Sequence, residues 1–146
     1  MTESQDGLYV ALLSIHGLIR WHNLELGRDA DTGGQTLYVV ELAKALARQP
    51  GIKKVDLITQ RLVDESLSTD YAQPIEKLGN NLRIIRIDTG AGAYLAKEEL
   101  WHHLDFFTDN LADFFHNHEC LPDIIHSHYA DAGYVGSHFT SLFGIP

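Results

Sequence analysis

LYVALLSIHGLIRWHNLELGRDADTGGQTLYVVELAKALAR (Leu8–Arg48) is the stretch whose reading decides the fold. Leu8 to Ile15 is a near-continuous apolar run, the pattern of a strand buried on both faces of a parallel sheet. From His16 to Thr32 periodicity vanishes and Gly, Asn, Asp and Arg dominate, so this part reads as a long loop, a type that in compact domains is usually functional or disordered. After Gly33-Gly34-Gln35, Leu37, Val40, Leu42, Ala43, Leu46 and Ala47 recur at helical spacing from Thr36 to Arg48, and Pro50-Gly51 stops them. Strand, long loop, glycine turn and helix in that order are the opening of a βαβ unit.

The rest of the chain continues the rhythm. Val55 to Thr59 and Arg83 to Ile87 read as strands, with a polar, irregular stretch from Arg61 to Pro74 between them. Lys97 to Asn117 predicts one long amphipathic helix carrying Leu100, Leu104, Phe107, Leu111 and Phe114/Phe115 on one side. Asp123 to His126 predicts a fourth strand, Asp131 to Phe143 a helix, and Gly144-Ile145-Pro146 the start of a fifth strand. The alternation predicts an α/β fold with an open, mostly parallel, doubly wound, Rossmann-like sheet. Such a sheet normally continues past its fourth strand, so residues 8–146 read as an incomplete, apparently truncated domain behind a flexible N-terminus at 1–7.

Composition excludes several classes of function. The chain has 146 residues, enough for one core, and 11 Lys+Arg against 20 Asp+Glu give a net charge of −9. A nucleic-acid or membrane-surface binder needs a basic face, which this balance disfavours. The most apolar stretch, Leu8 to Ile19, is too short to span a bilayer and is interrupted by Ser14, His16 and Gly17. No basic n-region precedes it. The single cysteine, Cys120, cannot form an internal disulfide and reads as a small, part-buried thiol. The expectation is a soluble, cytoplasmic protein.

Four constellations could carry chemistry. Asp31-Thr32-Gly33-Gly34-Gln35 sits where a helix start offers free N–H groups to an anion, and two glycines let a phosphate or sugar approach the backbone. It is neither GxGxxG nor a Walker A loop, and capping of the helix by Thr32 or Asp31 explains it equally well. His16, before Gly17 at a strand end, can face a crevice or pack beneath the loop. Lys97 opens a helix, where the macrodipole favours acids such as Glu98 and Glu99; an anionic ligand or simple solvation would each account for it. His126-Ser127-His128 reads as a crevice-lining pair. His116 and His118 on one helix point about 200° apart, poor geometry for chelation, and no metal motif is present. No nucleophile elbow or activated thiol is seen.

Three segments then combine in order: IHGLIRWHNLELGRDADTGGQTLYVVELAKALA (Ile15–Ala47), AYLAKEELW (Ala93–Trp101) and PDIIHSHYADAGYVG (Pro122–Gly136). Together they closely resemble the N-terminal half of sucrose-phosphate synthases, retaining glycosyltransferases of the two-Rossmann-domain GT-B architecture shared with sucrose synthases. The Arg28-Asp29 form of the loop resembles the phosphate synthase, where sucrose synthases typically carry Tyr-Pro. The resemblance implies transfer of glucose from UDP-glucose to fructose 6-phosphate, giving sucrose 6-phosphate with retention. It places His16, Gly33, Gln35 and Lys97 at the acceptor, Gly34 at the donor diphosphate, and His128 and Asp131 behind them in the crevice. It implies no tightly bound cofactor and no resident metal; Mg2+ is compatible with the chemistry but indicated by nothing in the chain. Front-face transfer needs no carboxylate nucleophile, so catalysis rests on orienting two sugars and stabilising the leaving diphosphate.

The departure from the family is large. A Gly-His-Ser-Leu-Gly-Arg motif with a catalytic-site histidine and phosphate-binding basic groups is missing, as is the C-terminal donor domain with its Arg/Lys pair and Glu-x7-Glu motif. The expectation is an acceptor-binding part of the parent enzyme, with no catalytic residue of its own and no turnover alone. A sucrose synthase-type or trehalose-type transferase half is the alternative within the family. A non-catalytic sugar-phosphate-binding module is the alternative outside it.

Overall fold

The apolar run of the first strand forms β1 (Leu8–Leu13), and the computed structural model, which describes residues 6–146, places it inside the sheet with parallel neighbours on both edges. The helix after the glycines is α1 (Gly34–Ala47), followed by β2 (Ile52–Arg61), β3 (Ile75–Lys77), β4 (Leu82–Asp88), α2 (Lys97–Leu100), α3 (Leu104–Asn117), β5 (Ile124–Ser127) and α4 (Tyr129–Phe143). The sheet order is β3-β4-β2-β1-β5, with every pairing parallel except β3 against β4. This is the doubly wound α/β architecture expected, extended by one strand. The expected flexible stretch at 1–7 lies, for residues 1–5, outside the described residues.

Period-2 alternation sorts the strand residues into two cores. Val10, Leu12, Val55, Leu57, Leu82 and Ile84 face Val39, Val40 and Ala43 of α1. Ala11, Leu13, Ile58, Ile85 and Ile87 face Leu104, Phe107, Leu111 and Phe115 of α3 and Ala132, Val135 and Phe139 of α4. Both faces are covered, which is why Leu8 to Ile15 reads as a near-continuous apolar run.

The structure departs from the sequence reading at several points. The three-residue β3 follows the stretch expected to be irregular, in residues to which the sequence reading gave no element; it is an edge strand pairing Ile75 with Ile85 and Lys77 with Arg83, too short to leave a periodic signal. The expected single helix Lys97–Asn117 is broken: a 3-10 turn, Trp101–His103, separates α2 from α3. Leu100 and Leu104 stay buried across the break, so apolar spacing does not reveal it. Leu37 faces solvent while Val39, unnamed in the sequence reading, is buried. Cys120 is exposed rather than part-buried. Gly144 turns the chain with φ +68, Ile145 enters the core at 5 % exposure, and the Pro146 carbonyl accepts from the Ile125 N–H at 2.9 Å. The expected start of a further strand thus makes one strand-like bond to β5. Among the described residues, no helix is long and apolar enough to cross a membrane.

Phe107 is fully buried at the centre of the α3–α4 layer. Phe107→Ala should lower unfolding free energy by about 3–5 kcal/mol through lost burial and a residual cavity. A urea midpoint within error of the parent protein would contradict this packing.

Candidate functional site

In an open parallel sheet, ligands bind outside the carboxyl ends of the strands where chain connections diverge to opposite sides. Here that point lies between β1 and β5: the chain leaves β1 for α1 on one face and reaches β5 from α3 on the other. His16 follows β1, His128 follows β5, and Gly33 with Gly34 opens α1 beside them.

The glycine turn is open. A Cβ on Gly33 or Gly34 would meet nothing within 4 Å, so packing does not require glycine there. Gly33 caps α1 without any side-chain hydrogen bond, and the first turn holds no acid. The Thr36 N–H turns back to the Gly33 carbonyl at 3.1 Å, while the N–H groups before it have no intrahelical partner and carry the positive end of the dipole. Capping by Thr32 or Asp31, the alternative left open by the sequence, is not what these residues do. The Thr32 Oγ1 accepts the Leu18 N–H at 3.2 Å and meets the Tyr94 hydroxyl at 3.1 Å, while Asp31 turns to Lys97. Asp29 fastens the loop: Oδ1 accepts the N–H groups of Asp31 and Thr32 at 2.8 and 2.9 Å, and Oδ2 accepts from the Tyr94 hydroxyl at 2.9 Å.

Lys97 is held by Asp31 twice. Its backbone N–H donates to Oδ2 at 2.8 Å and its ammonium to Oδ1 at 3.0 Å. Burial pushes the Asp31 carboxyl up, but the hydrogen bonds from Lys97 outweigh it and hold the group below the usual carboxylate range. The same hydrogen bond from the other side holds the Lys97 ammonium above its ordinary value. The ammonium stands 5.8 Å from the centre of the Tyr129 ring. That ring meets His16 edge-on, with centroids 4.8 Å apart. His16 Nδ1 lies 2.8 Å from Asp131 Oδ2, and both residues are buried.

On the β5 side, the His128 ring sits between His126, 4.4 Å away, and Tyr38 of α1, 5.9 Å away. Burial, then the neighbouring His126, lowers the His128 pKa, and its Nε2 is buried with no partner among the described residues. Gln35 Nε2 makes a long contact, 3.5 Å, to Ser14 Oγ at the end of β1. No group of three or more His, Cys, Asp or Glu suited to a metal comes together among the described residues.

The structure therefore gathers His16, Lys97 and Asp131 through Tyr129, and sets Gln35 and His128 on the flanks of β1 and β5. Tyr129 and Asp31 were missed as site residues. Tyr129 is 55 % exposed and holds φ +78, a conformation rare for an aromatic residue and characteristic of functional sites. Its signal in the sequence was an aromatic directly after the strand-end histidine. Asp31 gave none beyond its place in the glycine loop.

Residues 7–146 match the family model described as sucrose synthase first GT-B domain. The chain is 39% identical to sucrose-phosphate synthase 4 of Arabidopsis thaliana over 99% of its own length and 16% of that protein. It is 39% identical to sucrose-phosphate synthase of Zea mays over 95% of its length and 15% of that protein. It superposes on sucrose-phosphate synthase from Thermosynechococcus elongatus with a TM-score of 0.74 and 26% identity, covering 93% of this chain and 31% of that one. The chain thus spans about one sixth of the plant relatives' length.

The Asp31–Lys97 pair yields a titration prediction. Because the folded Asp31 pKa is depressed, the pair's stabilisation is present above the unfolded value of about 3.9 and is lost as pH falls through the lower folded value. In Lys97→Met the largest remaining influence is burial, so the Asp31 pKa should rise. Carboxyl carbon NMR would show it; an unmoved titration would mean Lys97 does not hold this carboxylate.

Proposed function

The chain belongs to the family of the sucrose synthase first GT-B domain, and from that premise we propose that it is the acceptor-binding part of a sucrose-phosphate synthase. In this reading the parent enzyme moves glucose from UDP-glucose to fructose 6-phosphate, retaining anomeric configuration and forming sucrose 6-phosphate. UDP-glucose enters as a substrate, no cofactor stays bound, and a separate donor-binding domain closes the cleft over the glycine turn. The proposed setting is cytoplasmic.

One observation carries the reading most directly. The uncapped, acid-free start of α1 opens at Gly33 and Gly34 into the crevice that also holds Lys97, His16 and Tyr129. An anionic sugar gains there from the helix dipole and from an ammonium, while imidazole and phenol groups are available to its hydroxyls. Lys97 already shares its charge with Asp31, and the chain is acidic overall, so tight binding of a phosphate calls for further cations from the parent protein. The same helix start suits a leaving diphosphate at Gly34, where charge develops during transfer. Similarity to sucrose-phosphate synthases from plants and a cyanobacterium favours fructose 6-phosphate over free fructose as acceptor.

Two measurements test the proposal. Gln35→Ala in the full-length transferase should raise the KM for fructose 6-phosphate several-fold while leaving the KM for UDP-glucose nearly unchanged. Equal effects on both would remove Gln35 from the acceptor side. The 146-residue chain alone should release no UDP above background with both substrates present. Clear turnover would refute the division of labour between two domains, and fructose 6-phosphate binding without turnover by a full-length protein would favour a non-catalytic sugar-phosphate module.

A further inference from the structure

The contact between β1 and α4 at His16 fixes more than position. His16 is 4 % exposed and Asp131 1 %, and Nδ1 of the imidazole faces Oδ2 of the carboxylate at 2.8 Å. The other carboxylate oxygen, Oδ1, accepts the backbone N–H of Ala132 at 2.7 Å. Asp131 lies in the first turn of α4, where the helix dipole favours a negative charge. An ionised carboxylate only accepts hydrogen bonds. The proton between the two side chains therefore belongs to His16 Nδ1, and in the neutral ring Nε2 is left bare.

The surroundings of Nε2 are the second observation. Among the described residues the side-chain hydrogen bond of His16 runs through Nδ1, and Nε2 is left without a partner. The Tyr129 edge confines the His16 ring, and Tyr129 is in turn under the Lys97 ammonium. The ring therefore presents one acceptor nitrogen, at the strand end where the acceptor sugar is proposed to sit.

We infer that Asp131 is a positioning residue that locks His16 as the Nδ1–H tautomer, so that Nε2 accepts a hydrogen bond from a hydroxyl of the acceptor sugar. The sugar half of this statement rests on the proposed function; the tautomer half does not. Carboxylate-fixed imidazoles serve this way in unrelated hydrolytic sites, where an Asp-to-Asn change leaves the geometry intact and imposes the wrong tautomer. The Ala132 N–H makes the same test available here. In Asp131→Asn it keeps the amide oxygen at the Oδ1 position, which turns the amide NH2 toward His16 Nδ1. Nδ1 must then accept, and the proton moves to Nε2, which becomes a donor.

The test uses the full-length polypeptide that carries this chain, labelled with [13C,15N]histidine and observed by magic-angle-spinning NMR at a pH where the ring is neutral. His16 is assigned by the difference from His16→Gln. The parent protein should show a protonated Nδ1 and a bare Nε2, and Asp131→Asn the reverse at unchanged melting temperature. With the tautomer inverted, kcat/KM for fructose 6-phosphate should fall about 10-fold, the scale of one lost hydrogen bond that leaves a polar group unpaired, with the KM for UDP-glucose unmoved. A parent spectrum with Nε2–H overturns the tautomer assignment even if the variant does not fold. An inverted tautomer with unchanged kinetics overturns the link to the sugar and makes the pair a structural tie alone. If the parent protein shows the Nδ1–H tautomer but neither binds nor uses fructose 6-phosphate, the lock stands and the proposed acceptor is what fails.

Discussion

β1 is hydrogen-bonded in parallel on both of its edges, to β2 and to β5, and the arrangement of the site follows from that constraint. A strand with two parallel neighbours cannot reach either by a hairpin; each needs a crossover, and the two crossovers lie on opposite faces of the sheet. The carboxyl end of β1 is therefore the place where no connection crosses over it. His16 and Gly17 emerge into that gap, the α1 start flanks it on one side, and the β5–α4 junction with His128, Tyr129 and Asp131 flanks it on the other. Parts separated by more than a hundred residues meet there, with His16 against Asp131 and the His128 N–H on the Leu13 carbonyl both at 2.8 Å.

The long loop returning from β1 to α1 is held by polar contacts rather than by secondary structure. Arg86, buried in β4, donates to the Ile19 carbonyl at 2.8 Å and pairs with Glu76 of β3 at 2.6 Å. Trp21 donates its indole N–H to the Glu76 carbonyl at 2.9 Å. The short edge strand thus serves as a backstop for the loop; the two terminal nitrogens of the buried Arg86 guanidinium have acceptors, while its Nε has none among the described residues. A comparable arrangement stands at the amino end of the sheet, where fully buried Asp56 receives Arg83 at 2.7 and 2.8 Å and the Tyr9 hydroxyl. Burial, reinforced by Asp56, pushes the Tyr9 phenol well above its ordinary range. These networks sit on the strands themselves, so they fix register as well as charge.

What the sequence made legible was whatever depends on local pattern. Both-face burial of β1 showed as an apolar run, and the turn at Gly33-Gly34 and the reversed charge of Lys97 at a helix start stood out against ordinary preferences. The resemblance of three segments then ordered those residues around one crevice. What stayed hidden depends on contacts between distant residues. β3 carries three residues and its meaning lies in Glu76 meeting Arg86 and Trp21. The 3-10 break at Trp101–His103 leaves the apolar stripe intact. Tyr129's backbone strain and the double grip of Asp31 on Lys97 have no one-dimensional trace, because a loop aspartate and a helix-start lysine show no spacing rule that joins them.

Asp31 shows how closely the parts of the crevice are coupled. A Cβ on Gly17 would stand 2.5 Å from the Asp31 carbonyl oxygen, and Gly17 holds φ +82. The loop can fold back over the end of β1 only because that residue is glycine. The main chain of Asp31 thus rests on the residue next to His16, while its side chain sets the α2 start and the Lys97 ammonium. Displacing Asp31 would move the glycine turn, the cation and the roof over His16 together. An anion arriving at Lys97 must share the ammonium with that carboxylate, and repulsion from Asp31 grows as the anion nears it. For the sugar phosphate proposed above, such a crevice would discriminate by position: an anion would gain where it reaches the α1 start and the outer side of Lys97, and lose where it crowds Asp31. On the proposed function, this charge arrangement would supply selectivity for where a phosphate sits rather than raw affinity for phosphate.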